Sequence, residues 1–168
     1  MHLHKYEKIW LLFGIGSLVF FLLIIGVGAF YKGTQPPSEK MTIDPQNVEA
    51  HDTFKQENLG MTKVEDDKYI VNVLASAFNY DLGVDDEGSS VKKIRIPKGS
   101  TVLFQVTSKD VVHGFEIAGT NVNMMVEPGY ISSYETVLDK PGEYTLVCNE
   151  YCGTGHHLMF ATVEVYEE

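Results

Sequence analysis

Residues 9–31 read IWLLFGIGSLVFFLLIIGVGAFY, 23 positions without a charge, and no other stretch limits so strongly what the chain can fold into. A helix of that length extends about 34 Å at ~1.5 Å per residue, enough to cross a hydrocarbon core of about 30 Å. A buried helix of a soluble protein seldom stays apolar on every face. A secretory signal peptide is the nearer rival, because Val27 and Ala29 make a passable cleavage site. The apolar cores of such peptides, however, span only about 7–15 residues, so a retained anchor is expected. Lys5 and Lys8 precede the run while Lys32 and Lys40 follow it, a weak lysine bias. The short stub before the run and the acidic bulk after it favour a cytoplasmic N-terminus and an extracytoplasmic C-terminal part. No cysteine stands near the end of the run, which argues against a lipid-anchored lipoprotein.

The full chain of 168 residues has room for one domain of ordinary size plus this appendage. With 13 basic and 23 acidic residues, it carries no footprint for nucleic acid. From residue 42 onwards there are 21 acidic and 9 basic residues, a charge that would attract a basic partner. Residues 1–8 read as a stub and 9–31 as the transmembrane helix. The stretch 32–62, rich in Pro, Gly and polar side chains, reads as a linker or loosely packed collar, with weak signs of a short helix over 45–59. Over 63–168 the pattern is one of strands: YIVNVLASAF, KKIRIP, TVLFQVTS, HGFEIAG, YISSYETV, GEYTLVCN and MFATVEVYE. These runs are short, rich in β-branched and aromatic residues, and separated by turn formers such as PKGS and DKPGEY. Their spacing predicts a β-sandwich or Greek-key barrel.

The chemistry is concentrated in CNEYCGTGHHLM, directly after the strand GEYTLV. Cys148 and Cys152 are the only cysteines, and outside the cytoplasm a disulfide would be the plain reading. His156 and Met159 follow within the same segment, and His113 opens HGFEIAG upstream. Thiolate, imidazole and thioether are soft to borderline donors suited to copper. One cysteine with two histidines and a methionine would describe a mononuclear site; a second thiolate allows two bridged coppers, each with one histidine. The weak positions then fall to Met159 and a main-chain carbonyl. Two cysteines and two histidines also make the usual count for zinc, though the spacing is unlike a zinc finger and leaves Met159 unused. His157 cannot be set aside on spacing alone. His2, His4 and His51, in the stub and linker, are expected to be solvated.

With VVHGFEI, the NVNMMVEPG turn, PGEYTLVCNEYCG and GHHLMF in place, the chain resembles subunit II of haem-copper oxidases, and with the anchor the likeness spans nearly its whole length. The resemblance implies an all-β, cupredoxin-like Greek-key sandwich preceded by one N-terminal transmembrane helix. It implies two copper ions in a CuA centre, with His113 and His156 as terminal imidazoles, Cys148 and Cys152 as bridging thiolates, the Glu150 main-chain carbonyl and the Met159 sulfur. His157 matches no ligand. The single helix and the ASAFNY segment look like the B family, related to ba-type cytochrome c oxidases. In A-type relatives the glutamate of CxExC also helps hold magnesium at a subunit interface, so the side chain of Glu150 is a candidate for that ion. The function implied is electron entry into a terminal oxidase of a prokaryotic plasma membrane: cytochrome c donates, and the haem-bearing subunit I receives electrons for reduction of oxygen to water. Quinol oxidases share the fold and anchor but lack the copper ligands. The rival readings are a membrane-anchored copper carrier or assembly factor and a structural domain with one disulfide.

Overall fold

A computed structural model describes residues 4–31, 38–85 and 87–167. Residues 1–3 of the stub, with His2, and residues 32–37 of the linker, with Lys32, lie outside that set. The chain divides into two units, residues 1–36 and 37–168.

The first unit is helix α1 (Lys5–Gly26), continued by a π-type turn to Tyr31. Before it, the His4 ring accepts from the Tyr6 N–H, and the Glu7 carboxylate accepts from the His4 N–H at 2.8 Å. This reciprocal cap satisfies amides that a first turn otherwise leaves unpaired. The helix therefore starts about one turn ahead of the uncharged run. None of its residues is buried, and Lys5–Tyr31 is long and apolar enough to cross a membrane.

The second unit is a two-sheet sandwich, with 11 strands among the described residues. The first sheet contains β1 (Ser38–Thr42), β2 (Gly60–Glu65), β3 (Lys68–Ser76), β4 (Asn79–Asp81), β6 (Thr101–Ser108) and β9 (Tyr130–Val137), ordered β1-β9-β6-β3-β2 with β4 also on β3. The second contains β5 (Lys93–Pro97), β7 (His113–Ile117), β8 (Asn123–Val126), β10 (Gly142–Val147) and β11 (Phe160–Tyr166), ordered β5-β11-β10-β7-β8. The chain passes repeatedly from sheet to sheet, as a Greek-key sandwich requires. β3 with β6 and β5 with β11 are parallel pairs, whereas the other pairings are antiparallel.

Alternation along the strands builds the core. Val102, Phe104 and Val106 of β6 and Ala161, Val163 and Val165 of β11 share one buried cluster with Val71, Val73, Phe115, Ile117 and Leu146. Phe115 meets Tyr80 edge-on, with ring centroids 5.7 Å apart, and Phe104 at 5.6 Å, an arrangement that favours aromatic pairs.

From Ser38 onwards, the stretch expected as a linker or collar is built into this domain. β1 pairs with β9, and three 3₁₀ turns (Val48–Ala50, Asp52–Phe54 and Gln56–Asn58) replace the short helix expected over 45–59. Val48 and Phe54 pack with Ile43, Leu74 and Ile131 on the outer face of the first sheet. Leu74 explains why: β3 is buried on both faces from Val71 to Ala75, and its outward leucine needs a cover. His51 is half-buried, not freely solvated, and its ring accepts from the Thr53 N–H at 3.3 Å.

Candidate metal centre

Three of the six expected ligand residues are placed by strand alternation alone. On β10 the inward series through Leu146 reaches Cys148, one residue past the strand. On β11 the series Val165, Val163, Ala161 runs back to Met159. On β7 the series Ile117, Phe115 runs back to His113. Successive inward positions differ by two residues, so the ends of three adjacent strands deliver a thiol, a thioether and an imidazole to one side of the sheet. All three are buried: Cys148 is 7%, Met159 2% and His113 0% exposed. The Cys148 N–H donates to the Met159 carbonyl at 3.3 Å, carrying the β10–β11 ladder one step beyond its last strand pair, Val147 with Phe160.

The loop between these strands supplies the rest. The Cys148 and Cys152 sulfurs are 3.8 Å apart, both thiols are free, and no disulfide joins them. The Cys148 thiol donates to the Glu150 carbonyl at 3.1 Å, and Cys152 Sγ lies 3.8 Å from the Met159 sulfur. A 3₁₀ turn over His156–Leu158 turns half-buried His156 inward, with Nδ1 3.6 Å from Cys152 Sγ, and leaves His157 exposed. His113 Nδ1 faces Cys148 Sγ at 4.0 Å. The ligating atoms of His113, Cys148 and Cys152 all lie within 4.8 Å of one another. The six expected residues thus converge on one pocket, each thiol with one imidazole and one weaker donor beside it. That donor set fits a soft metal, and the thioether has a place that a zinc site would not need. The side chain of Glu150 is half-buried.

Several neighbours that the sequence reading did not single out shape this pocket. Gly114 lies against the loop: a Cβ there would come 1.8 Å from Asn149 Oδ1 and 2.6 Å from its backbone nitrogen. Without a side chain, Gly114 also donates its N–H to Cys148 Sγ at 3.4 Å. Asn149 fastens the loop by donating to Glu116 at 2.9 Å and Asn123 at 3.0 Å. Tyr80, fully buried, donates its hydroxyl to the Gly114 carbonyl; burial, then the nearby Cys148 thiol, push its pKa up and keep it a donor. Phe78, at the tip of the β3–β4 hairpin with φ at +67°, covers the loop so closely that a Cβ on Gly155 would meet its ring at 2.5 Å.

Asp110 completes the surroundings. It accepts from His113 Nε2 at 2.8 Å and from the N–H groups of Ala77 and Val111. Burial opposes ionisation of Asp110, but these hydrogen bonds outweigh it and hold the carboxyl below the usual range. Burial pushes the Cys152 thiol up, and neighbouring Cys148 adds to it, so the thiolate form needs a cation to draw off the proton. Sequence signals for these residues were slight: an acidic residue three before a metal-type histidine and a glycine between two inward positions.

The family model described as the periplasmic domain of cytochrome C oxidase subunit II matches residues 48–166. A cytochrome c oxidase subunit 2 of Thermus thermophilus is 35% identical over 164 residues, covering 96% of this chain and 92% of the relative. A second one from the same species is 36% identical over 135 residues, 80% of this chain and 93% of the relative. A chain from the cryo-EM structure of a heme-copper terminal oxidase dimer superposes with a TM-score of 0.77 at 32% identity, covering 96% of this chain and 100% of the other.

Proposed function

The chain belongs to the cytochrome c oxidase subunit II family, and from that premise we propose that it is the electron-entry subunit, taking electrons singly from a cytochrome c and delivering them to the haem-bearing subunit I. As a family member it is a membrane-anchored component of an oxidase that associates with other oxidase subunits. The reading places it in the plasma membrane of a prokaryote, with the N-terminus cytoplasmic, lipid around α1 and the sandwich outside; the name of the matched family segment, a periplasmic domain, supports that side. One N-terminal span supports a B-type relationship.

The observation that carries the proposal is the convergence of two free thiols 3.8 Å apart with an imidazole beside each. His113, Cys148, Glu150 through its carbonyl, Cys152, His156 and Met159 would hold two copper ions. Such a pair, when bound, supplies a one-electron carrier whose charge is shared across both ions. The protein's part is to hold the donors still. Strand ends fix His113, Cys148 and Met159, hydrogen bonds at Asn149 and Gly114 fix the loop, and the Tyr80–Phe115–Phe104 cluster keeps water from its inner side. Ligands locked by packing and outer hydrogen bonds move little when the charge changes. A copper carrier would need neither buried Met159 nor the Glu150 carbonyl turned to the sulfur. A magnesium ion at the subunit interface, with Glu150 supplying one carboxylate and another chain the rest, belongs to the same proposal.

The test is metal analysis and electron spin resonance of the full-length chain in detergent after copper loading. The expected result is two coppers per chain and a multi-line pattern from one electron shared between two equivalent nuclei, lost in Cys148→Ser and in Cys152→Ser. A single copper, or zinc alone, would overturn it.

A further inference from the structure

His113 has two ring nitrogens, and the site needs a particular one bare. Nδ1 faces Cys148 Sγ at 4.0 Å, while Nε2 points the other way, 2.8 Å from Asp110 Oδ1. A carboxylate only accepts hydrogen bonds. The proton of a neutral imidazole in this position therefore sits on Nε2, and Nδ1 presents its lone pair to the pocket. Were the proton on Nδ1, this nitrogen could not serve as a donor to a metal and the carboxylate would face another acceptor.

Asp110 is itself held from several directions. Oδ2 accepts from the Ala77 N–H at 2.5 Å and Oδ1 from the Val111 N–H at 2.7 Å. Its own N–H donates to Ser108 Oγ at 3.2 Å, whose hydroxyl donates to the Val111 carbonyl at 2.5 Å. Ala77 precedes Phe78, whose ring covers the ligand loop at Gly153 and Gly155. One carboxylate thus joins the β3–β4 hairpin, the β6–β7 turn and the first residue of β7. His113 is fully buried and the Asp110 side chain about one-third exposed, so the pair stands at the edge of the pocket with the imidazole on the dry side.

We infer that Asp110 is a positioning residue: it sets the tautomer and orientation of His113 so that Nδ1 is the donor offered to the metal, and it ties that ring to the hairpin covering the loop. The inference rests on the copper reading of the site for its consequences, but the tautomer itself is a property of the metal-free protein. Outer hydrogen bonds of this kind to a ligating histidine make the imidazole a stronger donor, and their loss typically costs about 10–100-fold in metal affinity.

Nitrogen-15 NMR of the histidine rings in the metal-free, full-length chain in detergent reads the tautomer directly. The parent should show His113 with its proton on Nε2 alone. Asp110→Ala should show a mixture of tautomers and a copper affinity lower by about 10–100-fold. Asp110→Asn keeps an acceptor oxygen of similar shape, so it should retain the Nε2–H form; its lost charge makes the ring a weaker donor to oxidised copper, and the reduction potential should rise. Thermal melts of both variants separate this from misfolding, and the asparagine variant decides the matter should the alanine variant fail to fold. An unchanged tautomer in Asp110→Ala, or an unchanged potential in Asp110→Asn, would overturn the inference. A parent chain that shows the expected tautomer yet binds no copper pair would instead refute the metal reading and leave the role of Asp110 in setting the ring intact.

Discussion

Replacing Gly114 with alanine tests whether β7 and the ligand loop are pressed together as the structure has them. The added methyl would lie 1.8 Å from Asn149 Oδ1, 2.9 Å from its Cγ and 2.6 Å from its backbone nitrogen. Rotating the Asn149 side chain relieves the first two contacts but gives up its hydrogen bonds to Glu116 and Asn123, each worth about 0.5–1.5 kcal/mol at most. The backbone contact cannot be relieved by rotation, so the loop must withdraw, and overpacking of that kind costs about 1–3 kcal/mol. The total expected is about 2–6 kcal/mol, or about 8–24 °C in melting temperature at roughly 4 °C per kcal/mol for a domain of this size. Because Gly114 N–H donates to Cys148 Sγ, withdrawal should also distort the copper spectrum of the loaded chain. The assay is a circular-dichroism melt of the full-length chain alongside its visible spectrum. A melting temperature within about 2 °C of the parent, less than about 1 kcal/mol, together with an unchanged spectrum would refute the close approach of β7 to the loop.

Other outcomes follow from the same geometry. His156→Ala should abolish the paired-copper signal while His157→Ala leaves it intact, since one ring faces Cys152 Sγ at 3.6 Å and the other is exposed; equal damage in electron spin resonance would contradict the assignment. Phe54→Ala should cost about 3–5 kcal/mol, because Phe54 is 0% exposed and centres the small cluster under the 3₁₀ turns, yet the copper spectrum should survive; a melt shifted by less than about 1 kcal/mol would mean that those turns do not hold the outer face of the sheet. The rate of reduction by a basic cytochrome c should fall steeply with salt, since the 21 acidic and 9 basic residues from 42 onwards are screened beyond about 10 Å at 0.1 M; a rate flat between low and physiological salt in stopped-flow mixing would remove any steering role for this charge.

What could be read without coordinates divides by how much of each element is buried on one face. β6 and β11 alternate cleanly, with Val102, Phe104 and Val106 inward on one and Ala161, Val163 and Val165 on the other, and such strands announce themselves. β2 buries only Gly60 at its start, β4 has three residues, and β8 alternates over just four, Asn123–Val126; none had enough pattern to stand out. β1 exists through its pairing with β9, a partner far along the chain that no local signal could supply. The collar misled for a related reason. Among the described residues its anchors are Ile43, Val48, Phe54 and the half-covered Leu59, spread among polar residues, and their partner, Leu74, is an outward residue of a strand buried on both faces.

The proposed ligands stood out in the sequence because their chemical types are rare together; their supports did not, because Asp110, Gly114, Tyr80 and Phe78 are ordinary residues whose roles arise only where strands meet. Cys148, Met159 and His113 extend inward alternations of β10, β11 and β7 by one further step beyond Leu146, Ala161 and Phe115. The period that builds the core therefore also aims three donors, and shifting any of these strands by one residue would turn its donor outward. The loop donors, Cys152, His156 and the Glu150 carbonyl, have no such period to fix them. They depend on contacts from outside the loop: Asn149 bonded to Glu116 and Asn123, and Phe78 pressed on Gly155. The proposed centre, which would have to hold its shape while an electron comes and goes, would thus draw its rigidity from the sandwich on one side and from the β3–β4 hairpin on the other.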